Sequence, residues 1–300
     1  MPSAWSWPHG GPETRHDEAP RRRFWAGKPG PALAPYIDHY EYLDIDIPEH
    51  YDRFLSPTAE VGLAFSLSSR RRIARREPSG GLTLYPDSVI VGPQSHRGDP
   101  VTFTGGIRAF YVSFRPVGFY RLFRLPVADL ADRCFDSADV LGPAGETLRR
   151  HLMASRQPAA MVAIVERFFS VLLDSAAEAS ELHYVTTSLS GAGSPVRISD
   201  LLGDVGWSRR RLERRFAQQV GLTAKQFAKI VRFRRALQMK AAEPGRSWTD
   251  ITHSADYYDQ AHLGKDFSAL VKTSPSDYFA GITRYPELEL FLSQYSPERA

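Results

Sequence analysis

Cysteine is almost absent from this chain of 300 residues, since Cys134 carries its only thiol. A single cysteine cannot form an internal disulfide or build a cysteine-rich metal site, so a disulfide-stapled fold and a zinc finger are both excluded. A cytoplasmic, reducing environment fits this composition. The simplest expected role for Cys134 is that of a buried packing residue.

Long hydrophobic runs are also lacking, and the mean hydropathy is −0.34. No stretch approaches the roughly 18 unbroken apolar residues that a membrane span requires, so no membrane partner is expected. Residues 1–23 contain no apolar segment of the secretory type. Their richness in Pro, Gly and charge predicts a disordered tail.

Catalytic patterns are missing as well. The chain has no Gly-rich phosphate loop, no Gly-x-Ser-x-Gly elbow and no His-Glu-x-x-His helix. The sequence therefore predicts a protein that is not an enzyme, with no catalytic residue, cofactor or metal.

Positive charge is concentrated in one part of the chain. Residues 1–190 hold 21 Lys/Arg and 22 Asp/Glu, a net charge of −1. Residues 196–243 hold 12 Lys/Arg and 4 Asp/Glu, a net charge of +8, and residues 244–285 return to −1 with 4 Lys/Arg and 5 Asp. A local excess of this size favours binding of a polyanion, because each neutralised phosphate releases counterions.

Residues 24–141 consist of short apolar runs rich in β-branched and aromatic residues, broken by Gly92-Pro93 and Gly105-Gly106. This pattern predicts a small β-barrel or sandwich. We expect the arginine-rich run 69–76 to be a hairpin loop rather than a second site for DNA. The clearest strand-like runs are 61–67, 82–85, 88–91, 101–103 and 108–114.

A helical period replaces the strand pattern over residues 142–185. Met161, Val165, Phe168 and Leu172 share one helix face, which either packs on the barrel or pairs with its copy in another subunit. The small and polar residues 186–195 are then expected to form a linker between domains.

Residues 196–285 contain the same pattern twice. Leu212 and Phe216 recur as Leu263 and Phe267 at one offset of 51 residues. A Leu and a Phe four residues apart lie on one helix face and can anchor a short helix in a core. The pattern predicts an all-α domain of two helix-turn-helix units, which holds DNA at two successive major-groove sites. Helix-capping signals support it at Gly221, Thr223 with Gln226, Ser247 with Asp250, and Ser274-Pro275.

At these residues the chain resembles the AraC/XylS family of bacterial transcription regulators. The resemblance spans about residues 196–280 and includes Ser208, Leu212, Phe216, Gly221, Arg232-Phe-Arg234, the turn 256–262, Phe267 and Ser274-Pro275. It implies recognition helices at about 208–220 and 259–271 that enter adjacent major grooves. The DNA-binding residues that it implies are Arg209 near phosphate, Arg210, Glu213 and Arg214 in the first helix, and Gln260, Ala261 and Lys265 with nearby His262 in the second. Arg can recognise guanine, Gln adenine and Glu cytosine.

The chain departs from the family at three positions where Gly or Pro is usual, and carries Ala224, Asp256 and Lys272 there. Asp tolerates a positive φ, so the second turn is expected to survive. Asp256, Asp259 and Asp266 place negative charge around the second recognition helix. We therefore expect the first unit to supply most of the electrostatic affinity.

The N-terminal part is similar to the cupin-related sensory domains that often precede this module, on the segments 57–65, 91–96 and 112–118. The resemblance implies a domain that binds a small effector inside the barrel or mediates dimerisation. His39, His50 and His96 lack the His-x-His pair and following Glu of a metal-binding cupin. Aromatic side chains that could line a pocket, or simply form the core, are Trp25, Tyr36, Tyr40, Tyr42, Phe65 and Tyr111.

The sequence thus predicts an α+β chain: a cupin-like barrel with following helices, then a tandem helix-turn-helix domain at 196–285 and a C-terminal tail at 286–300. The expected function is sequence-specific transcription regulation. Expected partners are double-stranded operator or promoter DNA, with RNA polymerase, a small effector and a second copy of the chain as further candidates. Two alternatives stay open: a cupin oxygenase or alkyl-acceptor repair protein fused to a DNA-binding module, and a regulator without an effector.

Overall fold

The computed structural model describes residues 21–68, 73–76, 81–98, 100–173, 181–191 and 197–282. The expected tails at 1–23 and 286–300 lie almost entirely outside these ranges. The chain is α+β, with an antiparallel sheet in its N-terminal part and helices in its C-terminal part. Within the described ranges, no helix combines the length and the apolar character needed to cross a membrane.

Eight strands are described. They are β1 (Arg22–Gly27), β2 (Ile37–Phe54), β3 (Gly62–Ser66), β4 (Ile73–Arg76), β5 (Leu82–Leu84), β6 (Ser88–Val91), β7 (Pro100–Phe114) and β8 (Cys134–Asp136).

Ten α-helices and one 3-10 helix are described. They are α1 (Gly118–Phe123), the 3-10 helix η1 (Val127–Leu130), α2 (Ala138–Ala154), α3 (Pro158–Ser170), α4 (Glu181–Ser190), α5 (Ile198–Val205), α6 (Arg209–Val220), α7 (Ala224–Ala242), α8 (Trp248–Ser254), α9 (Gln260–Val271) and α10 (Pro275–Ile282).

The sequence predicted a small β-barrel or sandwich, and the structure shows an open sheet that does not close into a barrel. The described strands pair in the order β1-β2-β7-β3-β6-β8, so β1 and β8 are its two ends, and β4 with β5 branches from β7. Register shifts interrupt the long β2–β7 pair between Ile47 and Tyr51. Such an irregularity bends a strand, and the bent pair lets β7 contact β3 along one half and β4 along the other. The sheet therefore curves without closing.

Helices α2 and α3 cover one side of the sheet. Met161, Val165 and Phe169 of α3 are fully buried in a core that includes Tyr40, Phe110 and Phe114. The predicted stripe named Phe168 instead of Phe169, and Phe168 is only partly buried. Of the two options left open, the structure shows this helix packed on the sheet.

Helices α4 to α10 share a second core that contains both Leu–Phe anchors. Leu182 and Val185 of α4 are buried in this core, although the sequence placed them with the helices of the N-terminal domain. The predicted linker 186–195 also begins later than expected, because residues 186–190 are the last turns of α4. Residues 192–196 lie outside the described residues.

The C-terminal helices are docked on the sheet domain through both helix-turn-helix units. Gly221 at the end of α6 lies against the carbonyl of Val127 and the ring of Pro93. At the second unit, the Arg97 backbone N–H donates to the carbonyl of Leu270 over 2.6 Å. The hydroxyls of Ser56 and Tyr278 are 2.7 Å apart. The N-terminal domain thus contacts the C-terminal ends of both units.

Candidate nucleic-acid interface and N-terminal cavity

The first helix-turn-helix unit consists of α5 and α6, and local chemistry fixes both ends of α6. The Ser208 hydroxyl caps the start by accepting from the backbone N–H of Arg211. Gly221 ends the helix with φ of 76°, the left-handed conformation expected there. Leu212 and Phe216 are buried at 1% and 0% exposure, so the other face is left to solvent.

That outer face carries all four residues predicted for the first unit. Arg209, Arg210, Glu213 and Arg214 are exposed. Arg209 Nε lies 3.4 Å from Glu213 Oε1, with side chains 81% and 59% exposed. An exposed pair of this kind is worth little and can be broken when a phosphate or base competes for the guanidinium.

The second unit consists of α8 and α9 and repeats this construction. The Asp259 carboxylate caps α9 by accepting from the His262 backbone N–H over 2.7 Å. Leu263 and Phe267 are fully buried anchors. Lys272 ends the helix with φ of 61° at the position equivalent to Gly221.

Of the residues predicted for the second unit, Gln260, Ala261 and Lys265 are exposed. His262 is half-buried, and its ring meets Tyr257 edge-on at 5.2 Å. The α9 residues that lie 51 positions after Arg209, Arg210, Glu213 and Arg214 are Gln260, Ala261, Gly264 and Lys265. The second helix therefore presents one cation where the first presents three.

The carboxylates around the second unit are largely neutralised within the protein, which the sequence did not predict. Asp266 Oδ2 lies 3.1 Å from Arg232, and its Oδ1 lies 3.5 Å from Lys229. Asp256, which has φ of 60°, is ion-paired with Arg235. Because these cations belong to α7, the positive charge counted over residues 196–243 overstates what solvent meets.

A fourth cation of α7 pairs across the domain boundary. Arg234 Nη1 donates to Glu60 Oε2 over 2.9 Å, and both side chains are more than nine-tenths buried. Burial raises the pKa of nearby Glu41, against the opposing attraction of His39 and Arg234. Its Oε2 atom has no hydrogen-bond partner among the residues that the structure describes.

His39 is part of the same buried group. Its Nδ1 lies 2.6 Å from Asp38 and its Nε2 lies 3.2 Å from Glu41. Burial alone would lower the pKa of His39, but the carboxylates of Glu41 and Asp38 outweigh burial and raise it to about 9. The imidazolium therefore donates from both ring nitrogens to carboxylates. His39 is thus a charge partner of two buried acidic residues of its own strand, β2.

A cavity of about 750 Å³, including space open to solvent, lies in the sheet domain. Among the described lining residues the polar groups are few and include one charged side chain, Asp87, which lies 3.5 Å from Arg149 of α2. The other walls are mainly aliphatic and aromatic. The lining residues are Leu55, Ala64, Phe65, Ser66, Ile73, Tyr85, Pro86, Asp87, Val89, Val91, Val101, Phe103, Ala109, Tyr111 and Cys134.

Two of the six aromatic residues suggested as pocket residues, Phe65 and Tyr111, line this cavity. Trp25, Tyr36, Tyr40 and Tyr42 do not; Tyr40 and Tyr42 are buried in the core beside it. Cys134, predicted to be buried, is only half-buried and lies in the cavity wall. Tyr85 and Phe103 could have been proposed from the sequence, since they stand in the same kind of apolar run.

Two family descriptions match parts of the chain. A helix-turn-helix domain matches residues 201–281, the range that contains both units and α7. A domain of unknown function (DUF6597) matches residues 27–136, which covers the described sheet. None of the curated proteins is significantly similar in sequence to this chain.

Solved structures of similar chains include several of ToxT from Vibrio cholerae. An apo variant of ToxT is 10% identical over 85% of this chain and 99% of its own, with a TM-score of 0.48. ToxT with a bound unsaturated fatty acid is 9% identical over 89% of this chain and 97% of its own, with a TM-score of 0.46. The AraC-like transcriptional activator CuxR is 16% identical over 73% of this chain and 96% of its own, with a TM-score of 0.23.

The helix-turn-helix match agrees with the described positions of both units and of α7. Both predicted recognition helices exist within one residue of their expected bounds, both are anchored by Leu and Phe, and α7 joins them. The C-terminal part of the chain is thus a helix-turn-helix domain of the AraC type found in DNA-binding transcription regulators, and the sheet domain precedes it.

Proposed function

We propose that this regulator recognises its operator with two unequal recognition helices and responds to a small effector bound in its N-terminal domain. Arg210, Glu213 and Arg214 of α6 would contact bases, with Arg209 on a phosphate, because all four are exposed on the face opposite the buried anchors. Gln260, Ala261 and Lys265 of α9 would occupy the next groove, with His262 beside them. RNA polymerase and a second copy of the chain stay predictions.

The cavity supports the effector half of this proposal through its chemistry. A concave, mostly apolar volume with a few polar groups is the usual form of a small-molecule site. Among the residues that the structure describes, the lining includes Asp87 but no Lys or Arg. We therefore propose a neutral or cationic apolar effector. An anionic effector, such as the fatty acid bound in ToxT, would meet no cation among these lining residues.

One observation carries the proposal that effector binding reaches the DNA-binding helices. Leu55 and Val91 line the cavity, and residues one or two positions after them contact the C-terminal helices. Ser56 meets Tyr278 of α10, the helix that follows the second unit, and Pro93, two residues after Val91, meets the end of α6 at Gly221. A ligand that displaces either wall residue would shift the contacts that the sheet domain makes with α10 or α6.

A ligand screen on the full chain tests the proposal. A compound that binds the folded state raises the melting temperature, because it stabilises that state by RT ln(1 + [L]/Kd). Compounds found by thermal shift are then added to a fluorescence-anisotropy titration with an operator fragment selected by the wild-type chain from random-sequence DNA. We expect neutral or cationic apolar hits that change DNA affinity at least threefold, roughly 0.7 kcal/mol.

The variant Ala64→Leu fills part of the cavity and is expected to abolish both effects of the hit. Its matched control is Ala144→Leu, which makes the same change at an exposed position of α2. Hits that still act on Ala64→Leu would place the effector elsewhere. A broad library without any stabilising compound would favour the alternative of a regulator without an effector.

A further inference from the structure

The two helix-turn-helix units differ in the length of their turns. In the first, one residue, Trp207, separates left-handed Gly206 from the N-cap Ser208. In the second, two residues, Tyr257 and Tyr258, separate left-handed Asp256 from the N-cap Asp259. Trp207 and Tyr257 are both buried, at 6% and 3% exposure, and occupy the same structural role. Tyr258 is therefore the additional residue of the second turn.

Tyr258 points into solvent. At 86% exposure, it is the most exposed of the large apolar and aromatic side chains that the structure describes. Burying an aromatic ring stabilises the folded state, and an exposed ring does not contribute this free energy. Packing within the protein therefore does not explain a tyrosine at this position. The exposed hydroxyl is available as a donor for a partner outside the protein.

The backbone that carries Tyr258 is held on both sides. Asp256 is ion-paired with Arg235 of α7. The Tyr257 ring is buried with the Arg232 guanidinium 5.5 Å from its centroid. Asp259 caps α9. Tyr258 thus stands at a fixed place beside the N-terminus of the second recognition helix, the end that enters the major groove.

We propose that Tyr258 is a DNA-contacting residue, whose phenolic hydroxyl donates a hydrogen bond to a phosphate oxygen and so positions α9 in its groove. This inference rests on the proposed use of α9 as a recognition helix. Tyrosine is among the side chains that contact DNA phosphates. A neutral donor suits this place, because a cationic side chain here would pair with the adjacent Asp259 carboxylate. The groove face of α9 carries one cation, Lys265, so few other groups there can contact a phosphate.

A neutral contact has a distinct signature. Tyr258→Phe removes the hydroxyl and keeps the ring, so we expect affinity for the selected operator fragment to fall about threefold to tenfold. The slope of log affinity against log salt is expected to stay unchanged, since no counterion is released at a neutral donor. Lys265→Ala, in contrast, is expected to reduce that slope by about 0.9.

The experiment uses the full chain, fluorescence anisotropy at several salt concentrations, and operator fragments with single neutral methylphosphonates scanned along the backbone. If Tyr258 contacts one phosphate, Tyr258→Phe costs nothing further on the fragment modified at that phosphate, and costs its full factor on the others. Tyr184→Phe is the matched control, because Tyr184 is a half-exposed tyrosine whose hydroxyl donates to Asp204 within the protein.

Three results would overturn the proposal: affinity of Tyr258→Phe equal to that of the wild type, a cost that is the same on every modified fragment, or a changed salt slope. If Tyr258→Phe binds normally and Tyr258→Ala does not, the ring and not the hydroxyl makes the contact. Failure of α9 as a recognition helix is distinguishable, because Gln260→Ala and Lys265→Ala would then leave both affinity and sequence preference unchanged.

Discussion

Individual charged side chains are distributed unequally between the two recognition helices. Arg209, Arg210 and Arg214 are exposed on α6, whereas Lys265 is the one cation at the equivalent positions of α9. Each cation that neutralises a phosphate makes binding stronger and more sensitive to salt. The imbalance on these faces therefore supports an unequal electrostatic contribution from the two units.

We expect Arg214→Ala to lower affinity for the selected operator fragment more than Lys265→Ala does. An arginine that contacts a guanine bidentately is worth about 1–3 kcal/mol, roughly 5-fold to 150-fold in affinity. Loss of Lys265 is expected to cost less, because an ammonium group cannot make a bidentate contact. Fluorescence anisotropy measures both, with Arg150→Ala on α2, an exposed arginine of the N-terminal domain, as the control. The reverse ranking of the two variants would contradict the proposed asymmetry.

The sequence predicted a weaker electrostatic contribution from the second unit, but the reason it gave was incomplete. The acidic residues near α9 were expected to repel phosphate, yet Asp256 and Asp266 are paired with cations of α7. A charge count along the chain cannot show such pairs, because their members are 21 to 34 residues apart in sequence. The exposed faces of α6 and α9 were predictable, since the buried Leu–Phe anchors determine them.

At the scale of elements, the residues that end the helices determine both the turns and the docking of the helices on the sheet domain. Helices α5 and α6 end at glycines with φ of 63° and 76°, Gly206 and Gly221. The space around them differs. A Cβ on Gly206 would meet nothing within 4 Å, but one on Gly221 would lie 2.7 Å from the Val127 carbonyl oxygen and 2.9 Å from Pro93. Gly221 is therefore required by the docking of α6 as well as by the backbone turn.

The pair Gly221→Ala and Gly206→Ala separates these two requirements. Both substitutions strain a left-handed residue, which costs about 1 kcal/mol. Only Gly221→Ala also forces α6 away from η1 and Pro93, so we expect it to destabilise the chain by at least about 1 kcal/mol more. Chemical denaturation of the full chain measures both values. Equal destabilisation by the two variants would mean that α6 is not tightly docked.

Some secondary-structure elements could be predicted from the sequence more accurately than others. Helices α6 and α9 were predictable within one residue, because capping residues and anchors specify a helix locally. The openness of the sheet was not, since it depends on which strands pair at a distance along the chain. Helix α4 was assigned to the wrong core for a related reason: an amphipathic pattern shows that Leu182 and Val185 are buried but does not show against what.

At the scale of the whole molecule, one buried ion pair joins the sheet domain to α7. Glu60 and Arg234 approach to 2.9 Å with side chains only 5% and 9% exposed. Removing one member leaves the other buried with one opposite charge fewer, which is more costly than losing an exposed pair. The pair therefore makes the stability of each domain depend on the other.

We expect Glu60→Gln to destabilise the full chain by roughly 3 kcal/mol in chemical denaturation. The double variant Glu60→Leu with Arg234→Met is expected to recover part of this loss, because neither charge is then left buried. Glu146→Gln removes the exposed carboxylate from its pair with Arg149 and serves as the control, with an expected cost below about 1 kcal/mol. A loss at Glu60 no larger than that of the control would mean that the domains are only loosely joined.

The docking residues and the proposed recognition residues lie at opposite ends of α6 and α9, which affects how operator preference can change by mutation. In both helices the residues that dock on the sheet domain lie at the C-terminal end, at Gly221 and Leu270, while the exposed recognition residues lie in the N-terminal half. On the proposed assignment, a substitution that changes operator preference in the N-terminal half of either helix would leave the contacts with the sheet domain in place. Operator preference and the proposed effector control could then change independently of each other.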